Sequence, residues 1–95
     1  MVYIDKVHYV TDAHGCEVIG KVKWTNNLHE DAVKECTKQE IIDFINKDSN
    51  NKVKTKYVRY NKWVEGEDVR VVDNRYLRTD SNSIKADNLE NLPRY

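Results

Sequence analysis

The chain has 95 residues, with 16 basic and 16 acidic side chains and a formal net charge of zero. A chain of this length has room for one core, so we predict a single compact domain over residues 1–95. The neutral balance argues against a nucleic-acid coat protein and against a basic membrane-surface peptide. No apolar run approaches the ~20 residues that span a bilayer, and the sequence opens on a strand pattern rather than a secretion signal. We therefore expect a cytoplasmic protein.

Residues 2–10 predict a first strand, which carries apolar side chains on both faces and so indicates either a central place in a sheet or a twist that shifts the buried face. Residues 16–24 predict a second strand, since apolar and charged side chains alternate along it. Gly20 in its interior indicates a bulge or a close approach by a helix.

The segment 25–36 has little apolar periodicity, and an N-x-x-E spacing predicts a short helix over residues 27–33. The sequence TKQE that follows, at positions 37–40, is a full capping box. Its threonine accepts from a free backbone amide, and its glutamate reaches back to the threonine N–H. The main helix is therefore predicted over residues 38–48, with isoleucines and a phenylalanine on its buried side.

Residues 52–60 alternate again and predict a third strand, with Val53 and Tyr57 on its core face. We interpret residues 61–68 as a loop, because the segment is charged and contains Gly66. A last hairpin is predicted from two strands that flank a two-residue Asp73-Asn74 turn.

The C-terminal segment begins with turn chemistry at residues 80–83, which contain no apolar side chain. A short helical turn is predicted from Asp87, which would cap it together with Glu90, and Pro93 would end it. The predicted order is thus ββαβββ plus this turn. One helix and five strands linked mainly by hairpins favour an α+β two-layer sandwich with a mainly antiparallel five-stranded sheet.

Two motifs in the last quarter of the chain carry a family resemblance. The sequence RYLRTD at residues 75–80 and the sequence DNLENLP at residues 87–93 resemble the "KYLRTD…DNLDNLP" signature of a family of small bacterial proteins, the domain of unknown function 3892 type. Trp24 after an alternating strand and the isoleucine-rich main helix also fit, whereas residues 25–36 depart from the pattern. The resemblance implies a compact bacterial or phage-borne domain and supplies no catalytic residue.

The residue pattern offers little catalytic apparatus. Cys16 and Cys36 have no close spacing, so we expect two free, partly buried thiols. His14 and Cys16 form one imperfect ligand pair, whereas a structural zinc site usually shows two close pairs. No nucleophile elbow and no glycine-rich phosphate loop occurs in the sequence. We therefore predict a protein that is not an enzyme and holds no metal and no cofactor.

The most suggestive feature is a basic strand with interleaved aromatic side chains. Its lysines 52, 54 and 56 alternate onto one strand face with Tyr60, which we expect to be open to solvent. A cationic face with an aromatic ring is one way to hold single-stranded nucleic acid, although lysines on a strand are more often ordinary solvated residues. The candidate basic and aromatic face comprises Lys52, Lys54, Lys56, Arg59, Tyr60, Lys62, Trp63, Arg70 and Arg78.

A candidate acidic loop follows this strand and comprises Glu65, Glu67 and Asp68. Segregated charge on a neutral protein suits docking on another macromolecule. We therefore expect a small regulatory or inhibitory protein with a protein partner, of the kind a phage or mobile element uses against a host defence enzyme. The alternative is a nucleic-acid-binding module that uses residues 52–63.

Overall fold

The computed structural model describes residues 1–80, 86–89 and 91–95. The elements in chain order are β1 (Val2–Thr11), β2 (Glu17–Thr25), β3 (Lys34–Thr37), α1 (Lys38–Lys47), β4 (Val53–Arg59), β5 (Lys62–Asp68), β6 (Arg70–Val72) and β7 (Tyr76–Arg78). The α+β class, the main helix and a five-stranded sheet are confirmed. The predicted order ββαβββ was wrong, because three strands precede the helix and four follow it.

The five-stranded sheet has the order β3-β2-β1-β4-β5 and is mixed rather than antiparallel. The central place predicted for the first strand is confirmed. β1 pairs with β4 in parallel, with Val2 opposite Val53 and Ile4 opposite Thr55. The parallel pair arises because α1 carries the chain from the β3 edge back to the other side of β1. Strands β6 and β7 form a separate two-stranded sheet, so their predicted place in the main sheet was wrong.

A bulge at Gly20 decides which side chains of β2 enter the core. The register passes from His8 opposite Lys21 to Tyr9 opposite Ile19, which leaves Gly20 as the extra residue. Ile19 and Val22 are consequently both buried, at 1% and 0% exposure. The predicted bulge is confirmed, and a Cβ at Gly20 would lie 3.0 Å from Val10 Cγ1.

The helix begins where the capping box predicted. Thr37 Oγ1 accepts from the Glu40 amide at 3.1 Å, and the Thr37 amide donates to Glu40 Oε1 at 3.0 Å. The buried face of α1 carries Ile41 and Ile42, which pack on the sheet. Among the described residues, the core cluster comprises Val2, Ile4, Val7, Ile19, Val22, Ile41, Ile42, Val53, Val69, Leu77 and Leu89.

The short helix predicted over residues 27–33 was wrong. A turn at Asn27, whose carbonyl accepts from the Glu30 amide at 3.4 Å, leads into an irregular segment and then into β3. The Ala32 amide in this segment donates to Asp5 Oδ2 at 2.9 Å. Contacts to distant strands therefore hold this loop, which explains its lack of local periodicity.

The capping role predicted for Asp87 was also wrong, since no helix occurs among the described residues 86–89 and 91–95. The Asp87 carboxylate is 1% exposed and binds three separate elements. Its oxygens accept from the Ile19 amide at 2.9 Å, the Leu77 amide at 2.9 Å and Lys38 Nζ at 3.0 Å. The predicted polar loop at 81–83 and the predicted partner Glu90 lie outside the described residues.

The last residues of the chain extend the sheet beside β1. The Val7 amide donates to the Pro93 carbonyl, and the Tyr95 amide donates to the Val7 carbonyl, both at 3.0 Å. β4 pairs with β1 only as far as Thr55, opposite Ile4. Beyond that point the C-terminal segment takes the place of β4 beside β1, with Arg94 opposite Val7. No helix within the described ranges is both long and apolar enough to cross a membrane.

Candidate interaction site on the β4–β5 hairpin

Lys56 is a buried anchor rather than a surface cation. Its side chain is fully buried, and Nζ donates to the carbonyl oxygens of Asn27 and Leu28, both at 3.2 Å, and to that of Glu30. The Trp63 ring centroid lies 3.8 Å from the same ammonium. Burial lowers the pKa of Lys56, and the nearby Asp5 carboxylate opposes that shift. The loop that covers Lys56 makes it unavailable to a partner.

The open lysine face predicted for this strand was therefore wrong. Lys54 is half-buried, and its Nζ lies 3.3 Å from Asp68 Oδ1 and 4.0 Å from Glu65 Oε2. The hydrogen bond to Asp68 raises the pKa of Lys54. Lys52 alone of the three lysines is exposed. Tyr57, predicted in the core with Val53, is instead 38% exposed.

Two predicted site arginines lie elsewhere in the fold. Arg78 is 5% exposed, and its guanidinium donates to both carboxylate oxygens of Asp80, at 2.9 and 2.8 Å, and to the Ala86 carbonyl at 2.9 Å. Arg70 pairs with Arg78 across the β6–β7 sheet. The expectation that these arginines join the basic strand was wrong, because β6 and β7 do not pair with β4.

The residues that do come together form the end of the β4–β5 hairpin, which we define as residues 57–62. Tyr60 and Asn61 make the turn, with φ of 53° and 62°. Such positive values suit a two-residue hairpin turn, although tyrosine rarely adopts them. Residues 61–68 were predicted as a loop, but most of them form the strand β5. Beyond Thr55, β4 pairs only with β5 among the described residues, so the hairpin end stands clear of β1.

The hairpin end combines exposed apolar surface with positive charge. Val58 is 57% exposed and Tyr60 is 86% exposed. The Arg59 guanidinium lies 5.5 Å from the Tyr60 ring centroid. Arg59 and Lys62 are both exposed, and neither makes an ion pair with any described residue. Val58 was not selected from the sequence, where the available signal was an apolar residue at the end of a basic strand.

A crevice of about 400 Å³ lies beside the hairpin end. Tyr57, Val58 and Trp63 are among the residues that line it, and Lys6 and Asp31 contribute charges. The crevice exists because β4 diverges from β1 while the C-terminal segment takes its place. It is large enough for a side chain of a docked protein.

The predicted acidic loop belongs to β5, and most of its charge is used internally. Glu65 and Asp68 contact Lys54, and Glu65 Oε1 also accepts from the Tyr3 hydroxyl at 3.2 Å. Glu67 is exposed and makes no ion pair with the described residues. The acidic residues therefore hold the hairpin as well as present charge.

A separate pocket of about 380 Å³ lies at the β1–β2 loop, and His14 and Cys16 are among the residues that line it. Asp12 Oδ1 there accepts from the backbone amides of His14 and Cys16, both at 2.9 Å, which lowers the pKa of Asp12. Within residues 1–80, 86–89 and 91–95, no three histidine, cysteine, aspartate or glutamate side chains could hold a metal ion together. In the described part of the chain, no hydrogen bond joins the imidazole of His14 to the thiol of Cys16.

A comparison with protein families identifies the family to which the chain belongs. The family model described as "Protein of unknown function (DUF3892)" matches residues 4–93. The chain belongs to the DUF3892 family. Neither the curated proteins nor the solved structures include a match.

Several described residues in the two sequence motifs at 75–80 and 87–93 have structural roles in this chain. Leu77 and Leu89 are completely buried, and Arg78 forms an ion pair with Asp80. Asp87 joins three elements, as described above. These contacts give the named residues of the two motifs a structural role in this chain.

Proposed function

We propose that this DUF3892 protein is a non-enzymatic binding module that docks on another protein through the end of its β4–β5 hairpin. The observation that carries the proposal is the joint exposure of Val58, Arg59, Tyr60 and Lys62 at one projecting turn. Tyrosine and arginine are enriched at interface positions that contribute most to affinity, because they combine a large contact area with hydrogen bonding. A regulatory or inhibitory role follows if the module covers a working surface of its partner.

The charges of the hairpin end indicate the chemistry of that partner. Arg59 and Lys62 make no ion pair with a described carboxylate, so a partner surface with carboxylates around an apolar contact would complement them. The nucleic-acid alternative has less support, because Lys54 is paired and Lys56 is buried. In the β4–β5 hairpin only Arg59 and Lys62 remain as exposed cations, and Lys52 is exposed just before β4.

An affinity capture with matched variants tests the proposal. Immobilised wild-type protein should retain a stoichiometric protein from a lysate of the source cells, and the double variant V58D/Y60A should lose it. Val33 is 77% exposed and directly precedes β3, at the edge of the sheet opposite β5, so V33D is the control that should retain the partner. Equal capture by both variants would contradict the proposed site. Nucleic acid that co-purifies, and whose binding falls steeply with salt, would support the alternative instead.

A further inference from the structure

The two edges of the main sheet differ in how they are protected. β3 at one edge has only four residues, whereas β5 at the other edge has seven. Short edge strands discourage pairing with another chain, and long ones permit it. No described residue pairs with the outer side of β5. The β5 edge is therefore the open end of this sheet.

The register of the hairpin fixes which backbone groups of β5 point outward. Arg59 and Lys62 flank a two-residue turn, which makes them a hydrogen-bonded pair. Such pairs alternate along an antiparallel ladder, so Tyr57 and Val64 form the next one. The N–H and C=O groups of Trp63 and Glu65 then point away from β4 and remain available to another strand.

The charges on β5 are segregated along its length. Lys62 is exposed at its beginning, and Glu67 is exposed near its end. Neither makes an ion pair among the described residues, unlike Glu65 and Asp68 in the same strand. A strand with a free cation at one end and a free anion at the other is complementary to an antiparallel copy of itself.

We propose that β5 pairs antiparallel with β5 of a second copy of this chain, about a twofold axis at Val64. Trp63 of each copy then exchanges backbone hydrogen bonds with Glu65 of the other. Lys62 comes opposite Gly66 of the second copy and next to its Glu67. A register shifted by two residues toward the C-terminus would instead oppose Glu65 with Glu65, which like-charge repulsion disfavours.

This pairing goes beyond the docking role proposed above and does not depend on it. Pairing at an edge covers neither face of the sheet, so Val58 and Tyr60 stay accessible. The bulge of Gly66 and Glu67 opposite Thr55 bends the strand only beyond Glu65. The paired stretch is therefore short, and we expect a weak dimer that salt weakens further.

Sedimentation velocity across a range of protein concentrations tests the dimer. Wild-type protein should dimerise at low salt, and K62E and E67K should each weaken the dimer by roughly tenfold. The double variant K62E/E67K should restore it, because the two charges are exchanged. A wild-type chain that stays monomeric, or a double variant no better than the single ones, would overturn the proposal.

A disulfide test probes the register itself. Residues that face each other at a non-hydrogen-bonded antiparallel position have Cα atoms about 4.5 Å apart, which suits a disulfide. In a C16S/C36S background, V64C should form a disulfide-linked dimer on mild oxidation. V58C, on the exposed part of β4, is the matched control and should not. Equal cross-linking at the two positions, or none at position 64, would contradict the twofold at Val64.

Discussion

The ammonium of Lys56 lies 4.0 Å from the carboxylate of Asp5, and the two side chains are 0% and 1% exposed. Asp5 also accepts a hydrogen bond from the Ala32 amide. Lys56 donates to the carbonyl oxygens of Asn27, Leu28 and Glu30, in the loop just before Ala32. Each charge therefore has partners that replace water. This pair attaches an irregular loop to two strands of the sheet and removes from the surface a lysine that the sequence pattern placed there.

Removal of the Lys56 charge should destabilise the protein strongly. K56M leaves three buried carbonyl groups without their donor and Asp5 with Lys6 as its remaining cation, so we expect a loss of about 3–5 kcal/mol in the free energy of unfolding. Urea denaturation measures this loss. Exposed Lys52 gives the matched control, since K52M should change stability by no more than about 0.5 kcal/mol. Similar denaturation midpoints for the two variants would contradict the anchoring role.

Asp87 should behave as a structural node rather than as a helix cap. In D87N one carboxylate oxygen becomes an NH₂ group that faces a donor, so we expect a loss of about 2–3 kcal/mol by urea denaturation. Asp31 is exposed, and D31N should leave the midpoint unchanged. A D87N variant as stable as D31N would show that the three hydrogen bonds of Asp87 do not form in solution.

Gly66 should not tolerate a side chain. A Cβ there would lie 2.3 Å from Thr55 Oγ1 and 3.0 Å from the Thr55 carbonyl oxygen. The strand would have to shift, so G66A should lower stability by about 1–3 kcal/mol in thermal or urea unfolding. The neighbouring exposed position provides the control E67A, for which we expect almost no change. Equal stability of the two variants would place the bulge elsewhere in β5.

The two cysteines should react at very different rates. Cys16 is exposed, whereas burial raises the pKa of Cys36 to about 11. Thiolate is the reactive form, so at pH 8 only roughly one Cys36 thiol in a thousand is ionised. Iodoacetamide should label Cys16 first, and mass spectrometry of C16S should show labelling of Cys36 that rises steeply with pH. Equal labelling of both cysteines at pH 8 would contradict the burial of Cys36.

The same shift predicts a pH dependence of stability. The folded protein retains the Cys36 proton between the ordinary thiol pKa of 9.0 and about 11, where the unfolded chain releases it. Stability should therefore fall as the pH rises through this window. C36A should remove this part of the pH profile in urea denaturation, and an unchanged profile would assign the loss of stability to other groups.

The sequence predicted the parts of the fold that depend on neighbours in the chain. The capping box at Thr37 and the bulge at Gly20 are local signals, and both were confirmed. β5 was missed because it is an edge strand with charged side chains on both faces, so it lacks the alternation of a half-buried strand. Lys56 was misplaced because its partners, from Asn27 to Glu30, come from a distant segment. The alternation of β4 could not reveal that this loop covers one of its faces.

The candidate site was likewise predictable where local signals identify its residues and unpredictable where distant contacts decide their exposure. Arg59, Tyr60 and Lys62 were selected from the sequence, because charge and aromatic content are visible there. The exclusion of Lys54, Lys56 and Arg78 required tertiary contacts. The parallel pairing of β1 and β4, which frees the hairpin end beyond Thr55, likewise depends on the path of α1 over the sheet.

The affinity of the captured partner for Y60A tests the proposed docking site most directly. Tyr60 is 86% exposed and makes no contact that the fold requires, so the variant should remain as stable as the wild type. A central tyrosine contributes about 2 kcal/mol or more to an interface, so isothermal titration should show binding weakened by roughly thirtyfold. Unchanged affinity in a normally folded Y60A variant would contradict the account and place the interface away from the β4–β5 hairpin.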